Sequence, residues 1–526
     1  MPIRLVLLCN FVGYAYSSTF QWPNPLLNYA DHQLYEGPLN LFRGCPARDN
    51  TTVPAQWLRL AYHDAATHNV DDGTGGADAS IMYELDRPQN IGEGMIASLS
   101  DFNSLSSLTP MVTPYSGMAD VIALGAIFAV VSCGGPVIPF SAGRVDATEA
   151  GPPLVPEPQQ PLASHIESFR RQGFSETEMI ALVACGHTLG GVRQADFPLI
   201  VTNTSIDVDT FDTTPAFDTT IVSQYLQNTT QDILVVGPNV TTRSDFRIFS
   251  SDGNATMQSL LSPDTFTETC GNLIQRMINN VPNGVNLTDP ISEPFDYLVG
   301  DPLFAYQNGT FIMTTSLRVL SPSTTSTITM LWTDRQGSFC PSTGCSILPS
   351  STEQVDFSII GQILGATAER YFFNATINAT SSISKFWFEI NDNDGSDPVV
   401  VDNGGSGFVI EQDSLFVDSI RTQLIQVPEV GVDTKVVVAV RGNVASTNVS
   451  VIAFEPQSSA AVPPFLPSTT SINLQLDESN PPEGGFTFFT TTVSGSVMYL
   501  SEITSIADGV TYTQENFYLF DIFPTF

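Results

Sequence analysis

The chain changes texture near residue 290, and that break constrains the fold more than any single motif. Before it, apolar residues recur at helical spacing. Met118 to Ser132, MADVIALGAIFAVVS, is an apolar stretch of helical length stopped by Cys133-Gly134-Gly135-Pro136. Residues 161 to 173, PLASHIESFRRQG, read as an amphipathic helix. Ser175-x-x-Glu178 is a capping box opening a further helix, SETEMIALVACGHTLGG, which ends on a glycine pair. Past residue 295 the pattern becomes TFIMTTSLRVL, STITMLWT, KFWFEI, TKVVVAVRG, NVSVIAF and FTFFTTTV. These segments are short, rich in β-branched and aromatic residues, and separated by Gly, Asn, Asp, Ser and Pro, as in β-sandwiches and barrels. The expected architecture is a mainly α-helical half over residues 18–290, then an all-β, sandwich-like half over 291–526. AAVPPFLPSTT, residues 460–470, reads as an internal boundary or as a long loop inside one sandwich.

Charge narrows the partners. The balance of 19 basic against 54 acidic residues gives a formal charge of −35, which argues against a nucleic-acid partner. The N-terminus, MPIRLVLLCNFVGYAYSS, places one arginine before a short apolar run and then offers Ala15-x-Ser17 for cleavage. It reads as a secretory signal over residues 1–17, and no other segment is long and apolar enough to span a membrane. Secretion gives meaning to the ten N-x-[ST] sequons, at Asn50, Asn203, Asn228, Asn239, Asn254, Asn286, Asn308, Asn374, Asn378 and Asn448. It also predicts disulfides, with Cys340 and Cys345 in CPSTGC near enough to close a small loop. The expected product is a secreted, extracellular glycoprotein, taken as a monomer.

The scarce chemistry is concentrated. The five histidines all precede residue 188. In WLRLAYHDAATHN, Arg59 and His63 are four apart, on one face of a helix, while Asp64 points elsewhere. A neutral imidazole can take a proton from a weak acid, and a fixed guanidinium can stabilise the anion that forms. Asp64 leads into DDGTGGADAS, where carboxylates, a hydroxyl and glycine carbonyls are hard oxygen ligands suited to calcium. His187 lies near the end of its helix among small residues, where something large and flat can approach; a single such histidine is how many haem proteins hold iron. His32, His68 and His165 read as surface or structural residues.

These stretches belong to an ordered set: RLAYHD at Arg59, GGADASI at Gly75, PQNIG at Pro88, then SCGGP, GRVDA, LVPEP at Leu154, ALVACGHTLGG around His187, FDTTPAFD at Phe211, and Ser251-Asp252. In that order they resemble the plant–fungal–bacterial haem peroxidase superfamily, most of all its secreted fungal class II enzymes. The resemblance implies haem b and a reaction in which hydrogen peroxide is reduced and small one-electron donors are oxidised. It makes His63 the distal base, Arg59 the distal arginine, and Asn90 the residue that orients His63, with Glu84 behind it. It makes His187 the proximal iron ligand, Asp252 its carboxylate partner, and sets Tyr62, Phe211 and Pro156 against the haem. Asp64, Gly76, Asp78 and Ser80 match a distal calcium site; Thr188, Asp212, Thr214 and Asp218 match a proximal one, over a stretch one residue shorter than in class II. Cys45 and Cys133 match a family disulfide. Cys270 matches another half-cystine of unassigned partner, and Cys185 reads as a buried thiol.

Departures from the family narrow the donor. Thr52, Gln56 and Arg193 stand where manganese-oxidising relatives carry acidic ligands, and Leu182 stands where lignin peroxidases have a surface tryptophan. A generic phenolic or aromatic donor is the expectation. The β half lies outside the resemblance and has no histidine. A polysaccharide or wall contact through Trp332 or Trp387 is one reading of it, and aromatic cores are the other. NDNDGSD, residues 391–397, reads as a polar turn rather than a calcium loop. A rival reading of the whole chain is a non-catalytic extracellular or wall-binding protein that keeps this fold.

Overall fold

A computed structural model describes residues 22–37, 44–105, 111–335, 345–427, 431–442, 447–507 and 509–522. The segment read as a signal lies outside the described residues. Helices α1 (Pro25–Tyr35), α2 (Val53–Ala65), α3 (Glu93–Leu105), α4 (Met118–Ser132), α5 (Leu162–Arg171), α6 (Glu176–His187), α7 (Thr220–Leu226), α8 (Ile233–Val236), α9 (Ser244–Phe249), α10 (Ala255–Ser259) and α11 (Pro263–Ile278) build the N-terminal half. Every residue of α4 is buried, as expected of a helix that is apolar all round. α2 packs along it. The start of α2 is fixed by Thr52, whose hydroxyl accepts from Ala55 N at 3.2 Å, with Pro54 in the first turn. The Ser175–Glu178 capping box forms at the start of α6.

From Tyr297 onward the described residues are mostly strands, broken by the short helix α12 (Ile359–Ile363), and every strand pair among them is antiparallel. A first sheet is centred on Thr310–Leu320 and Ala368–Asn378, and a second on Thr327–Thr333 and Lys385–Asn391. Buried and half-buried positions alternate along the second pair, which makes one face core. A third sheet is centred on Gly431–Arg441 and Phe486–Val493, and a fourth on Asn448–Glu455 and Tyr499–Ala507. The third sheet is covered on both faces. Val437, Ala439, Phe486 and Phe488 join the core of the first two sheets, while Val436, Val438 and Val440 join the fourth. Burial on both faces explains why VVVAV runs apolar without alternation.

The β half is therefore two stacked sandwich units, and the chain passes between them at residues 410–414. The boundary expected at 460–470 is corrected: Asn448–Glu455 and Ser468–Asn473 pair directly, so the stretch between them is a loop inside one sheet. That loop reaches back to the helices, where Asn103 on α3 exchanges two hydrogen bonds with Ser458, at 2.9 and 2.8 Å. A second tie is charged. Arg318, fully buried on the first sheet, meets Asp31 and Glu36 at the end of α1, and Arg370 meets Glu36 at 2.5 Å.

Candidate active site

α2 sets the distal wall. Arg59 and His63 lie one turn apart on it. His63 Nδ1 stands 2.8 Å from Asn90 Oδ1. Asn90 is turned that way because its amide donates to Glu84 O at 3.1 Å and to Glu84 Oε2 at 3.3 Å. Glu84 is held in turn by Gly151 N at 2.7 Å. An asparagine fixed as acceptor assigns the proton to Nδ1 and leaves Nε2 as the base. Burial, reinforced by the charge of Arg59, pushes the His63 pKa down to about 3, so the imidazole is neutral at physiological pH. Arg59 donates to the carbonyls of Gln89 and Ile91, at 3.3 and 3.2 Å, on either side of Asn90. Its guanidinium lies 5.6 Å over the Phe197 ring. Burial lowers its pKa to about 10 against the opposing charge of Asp196, so it stays cationic. Tyr62 stacks on Phe169 of α5 at 6.1 Å, meets His63 edge-on, and turns its hydroxyl toward Gln172.

The proximal wall comes from the end of α6. His187 Nδ1 lies 2.5 Å from Asp245 Oδ2, and its ring stacks on Phe211 at 4.2 Å and 15°. This corrects the expectation for Asp252. Asp252 accepts instead from Thr256 N and Thr256 Oγ1, at 2.9 and 2.6 Å, and so caps the turn into α10. Both aspartates sit in Ser-Asp dipeptides seven residues apart. Asp245 lies in the first turn of α9, beside α6, whereas Asp252 precedes Gly253 and reads as a turn. Asp-Gly was the signal that could have separated them.

The residues present fit a flat, iron-bearing group. His187 is near enough to His63 to help lower its pKa. A Cβ placed on Gly186, beside His187, would meet nothing within 4 Å, so the end of α6 borders open space. Pro156 is half-buried.

Two oxygen clusters flank these walls. Asp64 is fully buried and accepts from Ala79 N and Ile81 N at 2.9 and 3.1 Å. Asp78 accepts from Ser80 N at 3.1 Å. The Ser80 hydroxyl is buried without a partner. Burial, and then the charge of Asp78, raises the Asp64 pKa; burial raises that of Asp78. Gly76 has φ +121°, and a Cβ there would strike Asn280 O at 2.4 Å. On the other side, Thr188 Oγ1 donates to Asp218 O at 2.8 Å, Thr214 N to Asp212 Oδ1 at 2.9 Å, and Thr214 Oγ1 to Asp218 Oδ2 at 3.4 Å. Asp212 Oδ2 is buried without a partner, and burial raises the Asp212 pKa to about 6. Among the described residues no three His, Cys, Asp or Glu side chains converge, so any ion here takes hydroxyls and carbonyls as further ligands. Both donor sets fit a hard cation.

The other expected positions resolve simply. Thr52 caps α2, Gln56 accepts from Arg48 at 2.7 Å, Arg193 pairs with Asp207 at 3.0 Å, and Leu182 is buried. Cys45 pairs with Cys133. Cys185 pairs with Cys270, tying α6 to α11 two residues before His187. This corrects the reading of Cys185 as a thiol; sequence spacing carries no connectivity. Cys345 is disulfide-bonded, and Cys340 lies outside the described residues. His68 and His165 are buried and bonded to the carbonyls of Gly75 and Glu157, and Trp332 is buried in the core.

Residues 43–262 match the family model described as Peroxidase. A WSC domain-containing protein of Arthroderma benhamiae is 36% identical over 344 residues, covering 63% of this chain and 46% of that protein. That share is longer than the family-model segment, so the likeness runs beyond it. The putative L-ascorbate peroxidase 6 of Arabidopsis thaliana is 41% identical over 134 residues, covering 25% of this chain and 40% of that protein. The mitochondrial cytochrome c peroxidase of Cryptococcus neoformans is 30% identical over 148 residues, covering 27% and 37%. The chain thus spans less than half the length of these curated relatives. The likeness to secreted fungal class II enzymes rests on the motifs alone.

Proposed function

We propose that this chain, whose residues 43–262 are a peroxidase domain of the plant–fungal–bacterial haem peroxidase superfamily, is a secreted haem peroxidase that oxidises small phenolic or aromatic donors. The observation that carries the reading is the pairing of two polarised histidines: His63 held by Asn90 and Glu84 on one side, His187 held by Asp245 on the other.

In this reading haem, held through His187, supplies the iron redox chemistry when bound. His63 Nε2 takes the proton from one oxygen of hydrogen peroxide and delivers it to the other. Asn90 keeps Nδ1 protonated, so Nε2 is always the acceptor. Arg59, fixed by the Gln89 and Ile91 carbonyls, stabilises the negative charge that develops on the departing oxygen. Asp245 orients His187. Asp64, Gly76, Asp78 and Ser80 on one side, and Thr188, Asp212, Thr214 and Asp218 on the other, would each hold a calcium ion that steadies its wall. Secretion is supported by the disulfides, and by sequon asparagines that are all exposed or half-buried. No helix among the described residues is long and apolar enough to cross a membrane. The domain limits 18–290 and 291–526 belong to the same proposal, with the division placed in the stretch between α11 and the strand Tyr297–Val299.

Haem-reconstituted protein mixed with peroxide in a stopped-flow spectrometer tests this. His63→Ala should keep the Soret band and slow the reaction by about 10²–10⁴-fold. An unchanged rate would remove His63 from its role. A wild-type protein with no Soret band would instead favour a non-catalytic extracellular or wall-binding protein. The relative named for a WSC domain rather than for a peroxidase keeps that second reading open.

A further inference from the structure

Behind the proximal pair stands a third carboxyl. Asp232 caps α8, which packs on α9, and is fully buried. Its Oδ1 accepts from Leu234 N at 2.8 Å. Its Oδ2 is buried, has no N–H or hydroxyl donor, and lies within hydrogen-bonding reach of the Asp245 carboxyl. Both Asp245 oxygens are already acceptors, Oδ2 facing His187 Nδ1 at 2.5 Å and Oδ1 taking the Ser244 hydroxyl at 2.9 Å. The strongest charged influences on Asp232 come from two further carboxyl groups, Asp245 and Asp209. Two adjoining buried carboxyls are costly to ionise together. Asp245 is committed as acceptor, so the proton belongs on Asp232.

We propose that Asp232 is a positioning residue for His187: as a neutral carboxylic acid it donates its hydroxyl to Asp245 and limits how strongly Asp245 draws the His187 Nδ1 proton. Burial and the adjacent Asp245 raise the Asp232 pKa well above the usual carboxylate range, in keeping with this assignment. A carboxylate that accepts three hydrogen bonds is a weaker base than one that accepts two, because each bond stabilises its charge. The imidazole opposite it then keeps more of its own proton and is a weaker donor to whatever Nε2 binds.

The tuning role rests on His187 being the iron ligand, so the test has two arms. In the apoprotein at neutral pH, an infrared difference spectrum of wild type against Asp232→Asn should show a protonated-carboxyl carbonyl band that the variant lacks. Asparagine keeps the α8 cap and a donor toward Asp245, so the variant should fold. In ferrous haem-loaded protein, resonance Raman of the iron–histidine stretch and the reduction midpoint read the imidazole directly. Asp232→Asn should leave both near wild type. Asp232→Val, without a donor, should move the stretch to higher frequency and the midpoint to lower potential. Absence of the infrared band, or an unmoved stretch in folded Asp232→Val, overturns the proposal. A wild-type protein with the infrared band but no iron–histidine stretch overturns the ligand reading, and the tuning role with it, while leaving the proton on Asp232 established.

Discussion

Asp31 and Asp64 are both fully buried carboxylates, yet they meet opposite surroundings. Asp31, at the seam between the halves, faces Arg318, with Glu36 and Arg370 completing a network of alternating sign. Asp64, on the distal wall, faces another carboxyl, Asp78, and accepts from two backbone N–H groups. The first cluster carries its counter-charge in direct ion pairs; at the second, burial and the neighbouring carboxyl raise the pKa of Asp64. The chain carries 19 basic residues against 54 acidic ones. Its guanidinium at the seam ties the two halves together, while the distal wall is where we propose that a cation is taken from outside.

The largest expected effect comes from making the seam resemble the distal wall. Arg318→Met leaves Asp31 buried without a cation and should cost about 3–5 kcal/mol in urea unfolding. Adding Asp31→Leu should recover much of that loss, because the uncompensated charge goes with it. A single-variant cost within error of zero would show that the seam does not depend on its ion pairs.

The converse change supplies the distal wall with its ion. Calcium added to cation-free protein at a thousandfold excess over its dissociation constant should stabilise the helical half by about 4 kcal/mol. Asp78→Asn should weaken that gain, and Arg318→Met should not. A melting curve that ignores calcium would break the contrast between the clusters.

How much of this was legible varied with the range of the interaction. Fold class was readable because periodicity is local: α4 spans the residues its apolar run marked, and the capping box at Ser175 starts α6. Arg59 and His63 share a face because four residues make a helical turn. Connections between distant segments were not readable. Cys185 and Cys270 are 85 residues apart, and nothing around either names the other. Asp245 was missed for a nearby Ser-Asp, because a dipeptide does not record which helix it will face. The seam was invisible for the same reason: Arg318 sits in TFIMTTSLRVL as an ordinary strand residue, and only the folded chain brings it to Asp31, 287 residues away.

The smallest effect is the most specific, because the two clusters should respond to acid with opposite sign. Burial alone would raise the pKa of Glu36, but Arg370, His32 and Arg318 more than offset it, and the net shift is downward from 4.5. Glu36 therefore contributes stability above its ordinary pKa, and loses it as pH falls through the lowered one. His32 beside it has a pKa lowered by burial, so a loss of stability also begins higher, as pH falls through the ordinary histidine value of 6.5. The cation-free distal pair runs the other way: the raised pKa of Asp64 means that the folded state holds a proton the unfolded state releases, so stability falls as pH rises. Glu36→Gln isolates the seam. It should flatten the pH dependence of thermal unfolding only in the carboxylate range, by on the order of 1 kcal/mol, and leave the histidine limb in place. A profile that loses its histidine limb instead would assign the acid sensitivity of the seam to His32 rather than to the pairing of Glu36 with its arginines.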